Sequence, residues 1–133
     1  MCPFDTQYLA KLAPISLDIE IINISSIFGS VSKSERSAYS SSKFGLIGFT
    51  KSTSLDLAKY NILVNSVSPG FIDTKLTRKI LKKKGINIMS KKIPLKRLGN
   101  VNEISSLVNF LSSKYNTYIT GQNMIIDGGF TSE

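Results

Sequence analysis

The chain has 133 residues, no histidine and a single cysteine, Cys2, so it has neither a histidine/cysteine zinc site nor a histidine-based catalytic triad. A hydrophobic fraction of 41% and an aromatic fraction of 9% suit one globular domain with a real core. No apolar run approaches the ~18 residues of a membrane-spanning helix. The net charge of +8 favours anionic partners without selecting one. A lone thiol suits a reducing compartment, and Met1-Cys2-Pro3-Phe4-Asp5 lacks the basic and apolar segments of a secretory leader, so the expected location is cytoplasmic.

Residues 5–18 resist assignment: Tyr8, Leu9 and Leu12 share a helical face, but Pro14 removes a donor and stops any helix there. Ile21-Ile22-Asn23-Ile24-Ser25 reads as a short, β-branched, buried strand ended by Gly29 and Ser30. A polar, charged loop follows over 32–36. From 37 to 60 the period becomes helical, with apolar stripes from Leu46, Phe49, Leu55 and Leu57 beside Ala38 and Ala58. Gly45 and Gly48 each cost about 1 kcal/mol against alanine in a helix interior. Their presence predicts that another backbone comes close.

Asn61 permits a turn, and residues 62–67 form a second strand closed by Pro69-Gly70. Residues 74–84 have helical character but are too basic to be buried on every side. A loop containing Pro94 leads to a helix over 101–113. Asn100 is its N-cap, and Val101, Ile104, Leu107, Val108, Phe110 and Leu111 form its core face. Thr120-Gly121 turns the chain into a last strand over 123–127, ended by Gly128-Gly129. Strands alternating with helices predict a parallel sheet with crossover connections.

Tyr39 and Lys43 are four residues apart, so on a helix they share a face one turn apart. A cation beside a phenol favours the phenolate. Ser26, thirteen residues before Tyr39 at the end of the first strand, offers a hydroxyl for a substrate carbonyl oxygen. Together they can move a proton to or from an oxygen during hydride transfer, in a chain that lacks histidine for the purpose.

Ten basic residues, from Lys75 to Arg97, stand with no acid among them. They suggest either an anionic partner or, as is commoner for such runs, a solvated face. The run carries no aromatic residue to stack on bases, which argues against nucleic acid.

These segments resemble, in order, those of the short-chain dehydrogenase/reductases. Ile21-Ile22-Asn23-Ile24-Ser25-Ser26 resembles the strand ending in the family's catalytic serine, with Ser25 one residue early for that role. Tyr39-x-x-x-Lys43 resembles its catalytic pair, and residues 65–74 (NSVSPGFIDT) the strand and loop that meet the nicotinamide. Arg97-Leu98-Gly99 with Glu103, Tyr118-Ile119-Thr120-Gly121 and Asp127-Gly128-Gly129 resemble its C-terminal signature, as found in 3-oxoacyl-thioester reductases. The match spans about residues 20–131.

The resemblance implies an α/β fold, a doubly wound, Rossmann-like parallel sheet. It would be truncated to its last three strands and their crossover helices, in one partial domain over 1–133. It implies NAD(P)(H)-dependent carbonyl reduction or alcohol oxidation with catalytic Ser26, Tyr39 and Lys43 and no metal. Tyr39, Lys43, Pro69, Gly70, Ile72 and Thr74 would meet NAD or NADP, with Ile72 and Thr74 at the carboxamide. It further implies a small carbonyl or alcohol substrate and a homo-oligomer formed through helix 37–60. Gly128 and Gly129 are expected to be structural.

The glycine-rich turn that cradles a pyrophosphate is absent from the sequence. By spacing, the family's catalytic asparagine would precede Met1. The chain thus resembles the C-terminal half of such an enzyme. The alternative is a non-catalytic remnant that acts only through assembly, with its first strand left as an open edge.

Overall fold

The computed structural model describes residues 19–132; the expectations for Tyr8, Leu9, Leu12 and Pro14 lie outside them. Three parallel strands, β1 (Glu20–Ile24), β2 (Leu63–Pro69) and β3 (Asn123–Ile126), form one sheet in the order β1-β2-β3. Glu20 pairs with Leu63 and Ile24 with Val67; Ser66 pairs with Asn123 and Pro69 with Ile126. Helices α1 (Ser37–Leu57), α2 (Lys75–Lys92) and α3 (Val101–Leu111) connect them. The predicted alternation is the one observed. Asn61 makes the predicted turn in the left-handed conformation, with φ 57°, after a 3-10 turn over Ala58–Tyr60.

Central strand β2 is the most buried. Val64 and Val67 are fully enclosed, and Leu57, Ile62 and Val64 form a cluster to which Ile19 and Ile21 add. Much of what β2 buries is polar, so register is set by side-chain hydrogen bonds as well as by the ladder. Asn65 donates to the Ile119 carbonyl at 2.7 Å and accepts from the Gln122 amide at 3.0 Å. Ser66 and Ser68 both donate to the Asn123 side-chain oxygen, at 2.9 and 2.7 Å. Among the described residues no buried side-chain polar atom lacks a partner, which avoids the cost of roughly 1–3 kcal/mol that each would carry.

Helix α1 packs on the sheet through small side chains. Ser40, Thr50, Thr53, Ser54 and Leu57 are its buried residues, whereas Leu55, expected in an apolar stripe, is 79% exposed. Among the described residues, nothing beyond the helix's own backbone and the adjoining residues lies within 4 Å of a Cβ at Gly45 or Gly48, so the close approach expected there is not made by them. Such approaches occur at Gly29, where a Cβ would stand 2.9 Å from the Lys43 carbonyl, and at Gly70, where it would stand 2.7 Å from Asp127 Cα.

Two other expectations need correction. Helix α2 runs past residue 84 to Lys92, broken at Lys82, whose φ of 53° is not helical. In α3 only Leu111 is buried, and Val101 and Phe110 are 51% and 43% exposed, because the described strands cover only part of its apolar face. Among the described residues β1 has no strand on its outer side.

Candidate active site

Where β1 ends, the chain turns through a 3-10 segment, Ile27–Gly29, and Ser26 caps it by accepting the Phe28 amide at 3.2 Å. Ser26 is buried, and its hydroxyl proton is not used in any bond among the described residues. Ser25, the competing candidate, is committed elsewhere: its hydroxyl donates to the Lys43 carbonyl at 3.1 Å and ties β1 to α1.

That tie sets the helix pair in place. The Lys43 ammonium donates to the Ile24 carbonyl at 3.0 Å and stands 5.8 Å from the Tyr39 ring centre. Tyr39 is 42% exposed, and its ring packs edge-on against Phe28, two residues after Ser26, at 6.2 Å. Tyr39 and Lys43 therefore gather at the end of β1 that carries Ser26, with the phenol accessible.

The next strand end supplies a loop. Gly70 hydrogen bonds to the Ile126 carbonyl at 3.0 Å, and Phe71 and Asp73 bond with Gly99 on either side of an Ile72–Gly99 bridge. The amide and carbonyl of Ile72 itself take no partner among the described residues. Thr74 is the N-cap of α2, its hydroxyl accepting the Thr77 amide at 3.1 Å. A cavity of about 90 Å³ behind the loop, lined by Phe71, Ile72, Arg97 and Asp127 among others, has room for a few waters only.

The basic segment is less free than its sequence suggests, because acids from outside it fold back. Arg78 makes two bonds to Asp73, at 2.6 and 2.7 Å, and holds that carboxyl below its ordinary value. Arg97 makes two to Glu103, at 2.9 and 2.6 Å. Those bonds, and then the one from the Asn100 amide, lower Glu103 to about 2. Burial works to raise Asp127, but bonds from the Thr131 hydroxyl and the Thr131 and Gly129 amides outweigh it and leave the carboxyl lowered. Gly128 and Gly129, at φ 67° and 88°, turn the chain over this carboxylate, a structural arrangement. No His/Cys/Asp/Glu cluster suited to a metal occurs among the described residues.

Sequence reasoning overlooked the aromatic residues. Phe28, Phe71 and Phe130 join Tyr39 in one series of ring contacts. Their signal was present: each follows a motif directly or at one residue's remove, namely Ser26, Pro69-Gly70 and Gly128-Gly129.

Residues 6–131 match the family model described as enoyl-(acyl carrier protein) reductase. Trans-4-hydroxycyclohexanecarboxylate dehydrogenase of Sinomonas cyclohexanicum is 46% identical over 112 residues, which is 84% of this chain and 41% of that protein. A 3-oxoacyl-(acyl-carrier-protein) reductase of Thermotoga maritima is 42% identical, over 82% of this chain and 44% of its own. The chain thus spans less than half the length of these curated relatives. Among solved structures, 4-hydroxyisoleucine dehydrogenase complexed with NADH superposes with a TM-score of 0.86 at 35% identity, over 96% of this chain and 52% of that one. Gluconate 5-dehydrogenase of Burkholderia cenocepacia, in complex with NADP and tartrate, has a TM-score of 0.86 at 29% identity, over 96% and 51%.

Proposed function

The chain belongs to the short-chain dehydrogenase/reductase family, a family of oxidoreductases, and from that premise we propose that it carries the proton-transfer half of an NAD(P)(H)-dependent site. The reaction is reduction of a small carbonyl compound or oxidation of the corresponding alcohol. The observation that carries the reading is the Lys43 ammonium anchored on the Ile24 carbonyl and 5.8 Å from the Tyr39 ring centre, at the strand end bearing Ser26.

Tyr39 gives its proton to the carbonyl oxygen as that oxygen gains charge, and takes it back in the alcohol direction. Lys43, its ammonium held on the Ile24 carbonyl and 5.8 Å from the Tyr39 ring centre, keeps a positive charge beside the proton donor. Ser26, whose oxygen already accepts the Phe28 amide, donates its own proton to the same substrate oxygen. When bound, the nicotinamide cofactor supplies or accepts the hydride. Pro69, Gly70, Ile72 and Thr74 would hold its nicotinamide end together with Tyr39 and Lys43. The unpartnered amide and carbonyl of Ile72 fit a carboxamide, which needs one donor and one acceptor. Either NAD or NADP suits these residues, in keeping with neighbours crystallised with NADH and with NADP.

Replacing Tyr39 tests the reading. In an assay of carbonyl reduction followed by NAD(P)H absorbance, Tyr39→Phe lowers turnover by about 10²- to 10⁴-fold with the far-ultraviolet dichroism unchanged. Turnover equal to that of the parent chain refutes the assignment.

We also assign self-association to α1, whose outer face carries exposed Phe44 (47%) and Leu55 (79%) beside open Gly45 and Gly48. A second copy covering that face gives a dimer mass in solution that Leu55→Lys converts to monomer. A monomeric parent chain removes this partner. The relatives are oxidoreductases, and an assembly-only role has no support among them. No helix among the described residues is long and apolar enough to cross a membrane.

A further inference from the structure

Helix α2 buries none of its side chains, and no strand or other helix packs along it. It is broken at Lys82, where φ 53° and ψ 174° leave two helical pieces, over 75–81 and 83–92. Each piece presents aliphatic side chains among lysines. Leu76 and Ile80, four apart, share a face of the first, and Lys75 and Lys79, also four apart, run beside them. On the second, Ile88 has Lys84, Lys91 and Lys92 around it at helical spacing. Leu76, Ile80 and Ile88 are each more than half exposed. One exposed aliphatic residue is ordinary; three on a helix that packs on nothing ask for an apolar phase.

The charge around them is uncompensated. Eight lysines, from Lys75 to Lys96, are all exposed. Among the described residues the only ion pairs are Arg78–Asp73 and Arg97–Glu103, so carboxylates neutralise the two arginines of the segment and none of its lysines. Arginine's planar fork recognises a phosphate or carboxylate by paired bonds, whereas lysine is a mobile point charge on an apolar stem. Such stems lie along an apolar surface and keep their heads in water. Lysines interleaved with aliphatic side chains therefore suit a surface that is apolar beneath and anionic above. Nucleic acid gives aliphatic side chains no place, and the segment has no aromatic ring to stack on bases.

We propose that α2 docks on the surface of an anionic lipid bilayer, lying in the headgroup plane without crossing it. Leu76, Ile80 and Ile88 enter the acyl boundary, and the lysines around them meet lipid phosphates. The inference does not depend on the Ser26–Tyr39–Lys43 reading.

Co-sedimentation of the full chain with phosphatidylcholine vesicles, with and without an equal share of phosphatidylglycerol, tests it. The chain should partition onto the anionic vesicles and not the neutral ones, and less as salt rises. Lys84→Gln/Lys91→Gln/Lys92→Gln should weaken that partition by about tenfold or more. Lys33→Gln/Lys59→Gln/Lys114→Gln removes the same charge from elsewhere on the chain and should change it by less than about threefold. Leu76→Gln/Ile80→Gln leaves the charge as it is and should still weaken partition by about tenfold. All these positions are exposed, so the far-ultraviolet dichroism should stay that of the parent chain.

Absence of partition onto anionic vesicles at low salt overturns the inference. So does undiminished partition of Leu76→Gln/Ile80→Gln, which would leave net charge as the whole attraction, or an equal loss in the two lysine variants. Tighter binding to polyglutamate or duplex DNA than to vesicles, lost on replacing Lys84, Lys91 and Lys92, would assign the segment to an acidic protein or a nucleic acid instead.

Discussion

Ser25 and Ser26 differ by one position and by what their hydroxyls touch. Ser25 spends its proton on the Lys43 carbonyl, across a contact so close that Gly29 admits no Cβ beside it. Ser26 accepts the Phe28 amide and keeps its proton. Alanine should therefore separate the two. Ser25→Ala costs about 1 kcal/mol of stability, because it removes the side-chain bond that ties β1 to α1. Ser26→Ala lowers turnover by about tenfold or more, beyond a stability cost of about 1 kcal/mol from losing its cap on the Phe28 amide. Urea denaturation and carbonyl-reduction rates on the two variants check this, and the reverse pattern would exchange the assignments. The Tyr39–Lys43 spacing was legible because helical geometry alone puts i and i+4 together. The choice of Ser26 over Ser25 came only with the family resemblance, because the contact that distinguishes their hydroxyls joins residues 18 apart in sequence.

Among the elements, α3 declared itself most completely at its start and least along its face. Asn100 was readable as a cap, and the structure adds the reciprocal half, Glu103 accepting the Asn100 amide at 2.6 Å. Periodicity located its apolar stripe but is blind to what covers that stripe, hence the exposed Val101 and Phe110. For α1 the error was of another kind. Hydropathy favours Leu and Phe as core, yet a helix lying close on a sheet buries its small Ser and Thr residues, as at Ser40, Thr50, Thr53 and Ser54. The capping box also carries a pH dependence. Glu103 sits at about 2 against an ordinary 4.5, so the unfolded chain binds that proton more readily. Its contribution is complete above 4.5 and is lost as pH falls through 2. Asp73 and Asp127, both lowered, act in the same direction. Melting temperature should thus fall across that acid range, and Glu103→Gln should flatten part of the fall. An identical acid slope in the variant would show that the Arg97–Glu103 pair contributes nothing to folding.

At the scale of the whole molecule, the residues suited to the two ends of a dinucleotide are unequally represented. The loop over 69–74, whose Ile72 backbone groups take no partner among the described residues, is the one proposed to hold the nicotinamide, but no glycine-rich turn for a pyrophosphate occurs in the sequence. Affinity built on one end should not distinguish a dinucleotide from its nicotinamide half. The 133-residue chain should therefore bind NADPH more weakly than micromolar, and reduced nicotinamide mononucleotide within about threefold of it, a difference under 1 kcal/mol. The net charge of +8 complicates the measurement, since NADPH carries more negative charge than the mononucleotide and a basic surface attracts it at low salt. Raising the salt removes that attraction because exposed charges are screened within about 8 Å at 0.15 M. Fluorescence titrations of both nucleotides over a salt series should converge as screening grows. A micromolar NADPH affinity that survives high salt while the mononucleotide stays weak would mean that the chain grips the phosphates and adenosine by residues other than a glycine-rich turn. The unpaired lysines of α2 would then be the first place to look.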